Sequence, residues 1–128
     1  MFIIIICMAA VVFMPILAKI PLAIQMNKAG GYDNKHPRTQ QSKLTGLGAR
    51  AQAAHENCYE AICYFAPTVL LVLALDEHNV YTAQLCMAFV AARLSYIGFY
   101  LANWDIARSL AWAIGMGTLI AHYWMLLA

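Results

Sequence analysis

Four apolar segments, each long enough to cross a lipid bilayer as a helix, dominate this chain. They predict helices over about residues 2–26, 48–75, 80–102 and 106–127. A bilayer core about 30 Å thick requires roughly 20 apolar residues in a helix. Only 11% of the residues are charged, whereas roughly 25% is typical of a soluble domain. The sequence therefore predicts an all-α integral membrane protein, a single domain that forms a four-transmembrane-helix bundle.

Two other interpretations of these apolar segments fit less well. A soluble helical bundle would have shorter apolar runs and more charge. A cleaved signal peptide would have a basic N-terminal region and a small-residue cleavage site, and neither precedes Lys19. The first segment is therefore expected to remain as a helix, in which Pro15 introduces a kink.

The distribution of basic residues predicts the orientation in the membrane. The long polar connection over residues 27–48 contains four lysines and arginines, whereas the turn over residues 76–79 contains none. Basic connections between membrane helices stay on the cytoplasmic side. The first connection is therefore expected in the cytoplasm, and both termini are expected outside.

Polar side chains within the second and third helices follow helical spacing. Asn57 and Glu60 are spaced i, i+3 on the second helix. Arg93, Tyr96 and Tyr100 are spaced i, i+3, i+7 on the third. Each set therefore lies on one face of its helix. Because charged groups that face lipid are costly, the two stripes predict a shared polar cavity open to the cytoplasm. The alternative is a set of separate side chains that extend to the interface.

Two further arginines lie at the same end of the predicted bundle as this cavity, whereas one histidine does not. Arg50 begins the second helix and Arg108 begins the fourth, so both are expected at the cytoplasmic end. His122 is the exception, because it lies in the other half of the fourth helix. Gly115 and Gly117 in the same helix indicate close helix packing.

Metal, redox and nucleic-acid sites are not expected from this sequence. Its four cysteines and four histidines show no spacing typical of metal ligands. Cysteines within membrane spans usually act as small apolar side chains. No basic stripe with interleaved aromatic residues indicates nucleic-acid binding.

The motif His55-Glu-Asn57-Cys-Tyr-Glu60, followed by an apolar run, resembles the second-helix motif of the MAPEG family. These are the membrane-associated proteins in eicosanoid and glutathione metabolism, and this chain is similar to bacterial members. The resemblance extends over most of the chain. The other matching residues are Arg93, Tyr96 and Tyr100 in the third helix and Arg108 and Ser109 at the start of the fourth.

The resemblance implies a homotrimer in the bacterial inner membrane that binds glutathione between adjacent subunits, near the cytoplasmic side. It implies a glutathione-dependent transferase or peroxidase acting on lipophilic electrophiles that arrive from the membrane lipid. Glutathione would be the co-substrate, and no metal is implied. By position, the glutathione-binding residues would be Arg50, Asn57, Glu60, Arg93 and Tyr96, and the catalytic residues near the thiol would be Arg108 and Tyr100.

The chemistry of glutathione agrees with these residue types. Glutathione has two carboxylates, and guanidinium groups bind carboxylates bidentately. A cation beside its thiol favours the thiolate, which is the nucleophilic form. The resemblance further implies that Glu60 pairs with the ammonium group and holds a neighbouring arginine in place.

The sequence departs from the family pattern at Ala53. Family enzymes usually carry a further arginine four residues before the asparagine, and Ala53 occupies that position here. One carboxylate contact is therefore missing, and Arg50 lies a turn earlier. Two alternatives remain: a non-catalytic protein of the same fold that binds a lipid or thiol, and a small structural subunit of a larger membrane complex.

Overall fold

Four long helices and one short helix form the chain, which a computed structural model describes over all 128 residues. The long helices are each long and apolar enough to cross a membrane. The predicted all-helical chain with four spanning helices is therefore confirmed. The helices are α1 (Phe2–Lys28), α2 (Pro37–Gln41), α3 (Leu47–Ala74), α4 (Val80–Ala102) and α5 (Asp105–Leu127).

Three of the four long helices differ from their predicted bounds by one or two residues at an end. α4 has the predicted bounds, whereas α1 continues to Lys28 and α5 begins one residue earlier than predicted, at Asp105. The start of α4 is fixed by Asn79, whose side chain accepts from the backbone N–H groups of Tyr81 and Thr82 at 2.9 and 3.1 Å. The Thr82 hydroxyl accepts from the Asn79 N–H at 2.8 Å, which completes a capping box.

The connection between α1 and α3 is folded, and the sequence did not predict α2 within it. The Gln40 side chain donates to the carbonyl oxygens of Met26 and Gly31 at 3.0 and 2.6 Å. The same side chain accepts from the Asp33 N–H at 3.0 Å. One glutamine thus ties the connection to the end of α1, so that the residues of α2 are held against the bundle.

The helices pack as two pairs, α1 on α3 and α4 on α5, and the pairs meet mainly where α4 packs against both α1 and α3. Phe65 and Phe89 stack between them with ring centroids 4.5 Å apart, and both are fully buried. Ile16 and Ile20 on the outward face of α1 are more than half exposed. Lipid chains are as apolar as these side chains, so an exposed apolar face is stable in a bilayer.

His122 is an internal packing residue that joins α4 and α5. It is fully buried, with Nδ1 2.8 Å from the Thr118 carbonyl oxygen and Nε2 3.3 Å from the Thr82 carbonyl oxygen. Gly115, two turns earlier on α5, also lies at a helix contact, against Arg93. Gly117 has no neighbouring atom within 4 Å of a Cβ built on it. The packing role predicted for the two glycines therefore holds within the chain for Gly115 only.

Candidate functional site

A row of hydrogen bonds joins the polar stripes of α3 and α4. Arg93 is 4% exposed, and its Nη2 donates to the Asn57 carbonyl oxygen at 3.4 Å. Asn57 Nδ2 donates to Glu60 Oε2 at 2.7 Å. The i, i+3 spacing on α3 places Asn57 and Glu60 on one face, and the packing of α4 brings Arg93 beside it. The two stripes predicted from the sequence therefore meet.

An aromatic series continues the row toward the start of α5. The guanidinium carbon of Arg93 lies 4.5 Å from the ring centre of Tyr96, within the range of a cation–π contact. The rings of Tyr96 and Tyr100 meet edge to face, with centroids 5.5 Å apart. The guanidinium carbon of Arg108 lies 4.4 Å from the ring centre of Tyr100. Two cations are thus connected through two phenol rings.

A cavity of about 250 Å³ opens beside the outer end of this series. Pockets that enclose a small molecule usually measure about 300–1,000 Å³. The cavity in one chain is smaller than this range, and its walls come from α4 and α5. The lining residues are Tyr96, Tyr100, Arg108, Ser109 and Trp112.

Three groups in the row lack the partner that their chemistry requires. Arg93 is buried, yet no carboxylate lies within 4.0 Å, since the chain's one ion pair joins His78 and Asp76. Asn57 Oδ1 is buried and accepts no hydrogen bond. Glu60 is exposed within a membrane-spanning helix and has no cation within 4.0 Å. Buried polar groups and charges in a bilayer are normally paired, so these three groups fit a ligand that carries both charges.

Arg50 is placed apart from this row. Its Nε donates to the Leu101 carbonyl oxygen at 3.3 Å, which ties the start of α3 to the end of α4. Glu60 also has a different neighbour from the one expected, because it bonds to Asn57 and makes no direct ion pair with Arg93. The structure thus brings six of the seven predicted residues into one series of contacts and places Arg50 at its edge.

Two residues beside the site were not assigned to it from the sequence. Trp112 lies four residues after Arg108 and lines the same cavity, so helical spacing from Arg108 was the available signal. Gly115 faces the stem of Arg93, where a Cβ would lie 3.6 Å from Cδ.

No group of three His, Cys, Asp or Glu side chains lies close enough to hold a metal ion.

The four helices, each long and apolar enough to cross a membrane, and the polar row between α3 and α4 define an all-helical membrane protein with an interhelical polar cluster. The family model of the MAPEG family matches residues 3–128, essentially the whole chain, and the chain belongs to that family. The resemblance seen in the sequence motifs is thereby confirmed. Comparisons with curated proteins and with solved structures gave no match.

Proposed function

We propose that this protein is a glutathione-dependent transferase or peroxidase that acts on lipophilic electrophiles. Membership of the MAPEG family is compatible with that role. The observation that carries the proposal is the buried guanidinium of Arg93, which has no carboxylate within 4.0 Å in its own chain. A buried cation without a counter-ion is costly, so an anionic ligand would stabilise it.

Glutathione at physiological pH carries two carboxylates and one ammonium group, and the row offers a counterpart for each kind of charge. Arg93 would bind a carboxylate through N–H donors that the Asn57 carbonyl does not use. Glu60 would bind the ammonium group. The unpartnered Oδ1 of Asn57 would accept from the ammonium or from a peptide N–H.

The thiol would lie at the Arg108 end of the series, in the cavity beside Tyr100. Arg108 would stabilise the thiolate by its charge, and the Tyr100 hydroxyl would donate a hydrogen bond to the sulfur. In a transfer reaction the sulfur electron pair forms the new bond to the electrophile. The electron pair displaced from the electrophile then takes up a proton.

We further propose that the working form is a homotrimer in the bacterial inner membrane, with the site toward the cytoplasm. The cavity in one chain is small, and Glu60 lies on an exposed face of α3 together with Tyr64. A carboxylate that faces hydrocarbon is costly. A second copy packed against this face would remove Glu60 from lipid and supply the missing walls of the site.

The experiment is calorimetric titration of the purified protein with glutathione in mild detergent, followed by an assay of conjugation to a lipophilic electrophile. Binding at micromolar to millimolar concentration together with conjugation would support the proposed enzyme. Binding without conjugation would favour the non-catalytic thiol-binding alternative, for which Ala53 in place of an arginine is the supporting observation. Absence of binding at millimolar glutathione would overturn the proposal.

A further inference from the structure

A second cavity, of about 470 Å³, lies between α1, the folded first connection and α3. It is lined from α3 by His55, which is two residues from Asn57. Side chains two positions apart point about 200° apart around a helix, so this cavity and the Arg93 row lie on different sides of α3. The notable lining groups are two cations, Lys19 and Arg38, and two buried polar side chains, Gln41 and His55.

Both buried polar side chains have an atom without a partner. His55 is 5% exposed and its Nδ1 makes no hydrogen bond. Gln41 is 2% exposed and its Oε1 accepts none. Most buried polar atoms in folded proteins are hydrogen-bonded, because an unsatisfied one costs free energy. Both side chains line this cavity, so a ligand bound there is the candidate partner for the two atoms.

The charges of the cavity indicate an anion. Lys19 and Arg38 both line it, and neither lies within 4.0 Å of a carboxylate. Lys19 Nζ faces the Tyr32 ring, 5.9 Å from its centre. The acidic residue beside His55, Glu56, is exposed and accepts from Gln52 at 2.9 Å. The cavity therefore has two cations that no carboxylate pairs.

The apolar wall of the cavity indicates an amphiphile. Ile16 and Ile20 line it and are 63% and 56% exposed on the outward face of α1. This wall continues into the face of α1 that suits lipid chains. Lys19 lies beside this wall on α1, and Arg38 and Gln41 line the cavity from α2, which the Gln40 bonds to Met26 and Gly31 hold in position. A bound molecule would thus have an anionic end and an apolar chain.

We propose that this cavity binds the headgroup of an anionic membrane phospholipid that carries a free hydroxyl. The phosphate lies between Lys19 and Arg38 and accepts from them. The hydroxyl donates to Gln41 Oε1, and a second oxygen of the headgroup bonds to His55 Nδ1. The acyl chain lies along Ile16 and Ile20. Within one chain this site lies on the other side of α3 from the proposed glutathione site.

The test is native mass spectrometry of the whole protein in detergent, titrated with phosphatidylglycerol and, separately, with phosphatidylcholine. We expect preferential binding of phosphatidylglycerol. The double variant Lys19→Met/Arg38→Gln should bind it about tenfold more weakly or worse, the factor that loss of one hydrogen bond to a charged group produces. The matched control is Lys28→Met/Lys43→Gln, which removes two cations outside this cavity and should leave binding unchanged.

Gln41→Leu provides a second variant that keeps both cations. It should reduce the preference for phosphatidylglycerol over phosphatidic acid, since only the phosphatidylglycerol headgroup carries the free hydroxyl. Equal binding of phosphatidylcholine, or unchanged phosphatidylglycerol binding in the double variant, would overturn the proposal. Displacement of the lipid by inorganic phosphate would show a site for soluble anions. If the double variant Lys19→Met/Arg38→Gln lost glutathione binding but kept lipid binding, the cavity would be assigned to the glutathione site of an adjacent copy. Each of the last two results would also overturn it.

Discussion

Arg93 on α4 and Asn57 on α3 are joined by one long hydrogen bond, 3.4 Å from Nη2 to the carbonyl oxygen. A guanidinium has five N–H donors. Arg93 makes no other hydrogen bond and no ion pair within the chain. The contact therefore positions the arginine between two helices while leaving most of its donors free. Such an arginine is suited to a ligand carboxylate.

Removal of the Arg93 guanidinium should weaken glutathione binding. Arg93→Ala is expected to lower the binding free energy by about 1.5–3 kcal/mol, the range for a hydrogen bond to a charged group. Titration calorimetry measures this change. Lys43→Ala serves as the control, because Lys43 is an exposed cation of the first connection. Equal affinity of the Arg93 variant and the wild type would remove Arg93 from the site.

Arg108 should affect the thiol more than the affinity. If its charge stabilises the thiolate, Arg108→Ala should leave the dissociation constant nearly unchanged and reduce thiolate absorbance at neutral pH. Tyr100→Phe should give a smaller reduction, since it removes a donor without changing charge. Ultraviolet difference titration measures both effects. Arg108→Lys is the control that keeps the charge and should retain most of the absorbance.

The two glycines of α5 provide a matched pair for the packing of Arg93. A Cβ placed on Gly115 would lie 3.6 Å from Arg93 Cδ. The larger side chain of Gly115→Leu should therefore displace the aliphatic part of the arginine. We expect a loss of about 1–3 kcal/mol in stability, the usual cost of overpacking, together with weaker glutathione binding. Gly117→Leu, with nothing within 4 Å of its Cβ, should change neither within one chain. Thermal unfolding in detergent, monitored by circular dichroism, measures the stability.

The orientation can be tested by cysteine labelling in a background without the native cysteines. Single cysteines at Lys35 and Glu77, both exposed, should react from opposite sides of the membrane. Asn79, in the same turn as Glu77, is left unchanged because its side chain caps α4. Reaction of the Lys35 position with an impermeant reagent in intact cells would contradict the cytoplasmic placement of the first connection.

The assembly can be tested by native mass spectrometry in mild detergent. We expect three chains, with glutathione bound to the trimer. Glu60→Gln should ease the cost of an exposed carboxylate in one chain and thereby raise the fraction of monomer. A folded wild-type monomer that binds glutathione would contradict the proposal that the site needs a second copy.

The fold was predictable because each spanning helix is a long, predominantly apolar segment bounded by polar turns. The meeting of Asn57 with Arg93 was also predictable, since helical spacing defines the two stripes. Helix α2 was not, because its five residues form where Gln40 bonds to distant backbone groups, and no local periodicity reports such contacts. The position of Arg50 likewise depends on tertiary packing, because its side chain bonds to the carbonyl of Leu101 in the last turn of α4.

The connection between α4 and α5 consists of only two residues, Asn103 and Trp104, with Asn103 in a left-handed conformation at φ 63°. Tyr100 and Arg108 flank this turn, so their contact is fixed by one helical hairpin. The contact of Arg93 with Asn57 instead spans 36 positions of the chain. Sequence divergence in α3 would therefore leave the Tyr100–Arg108 contact intact while the contact of Arg93 changes. If the proposed roles hold, related proteins would keep the surroundings of the thiol and differ in how they hold the charged groups of the co-substrate.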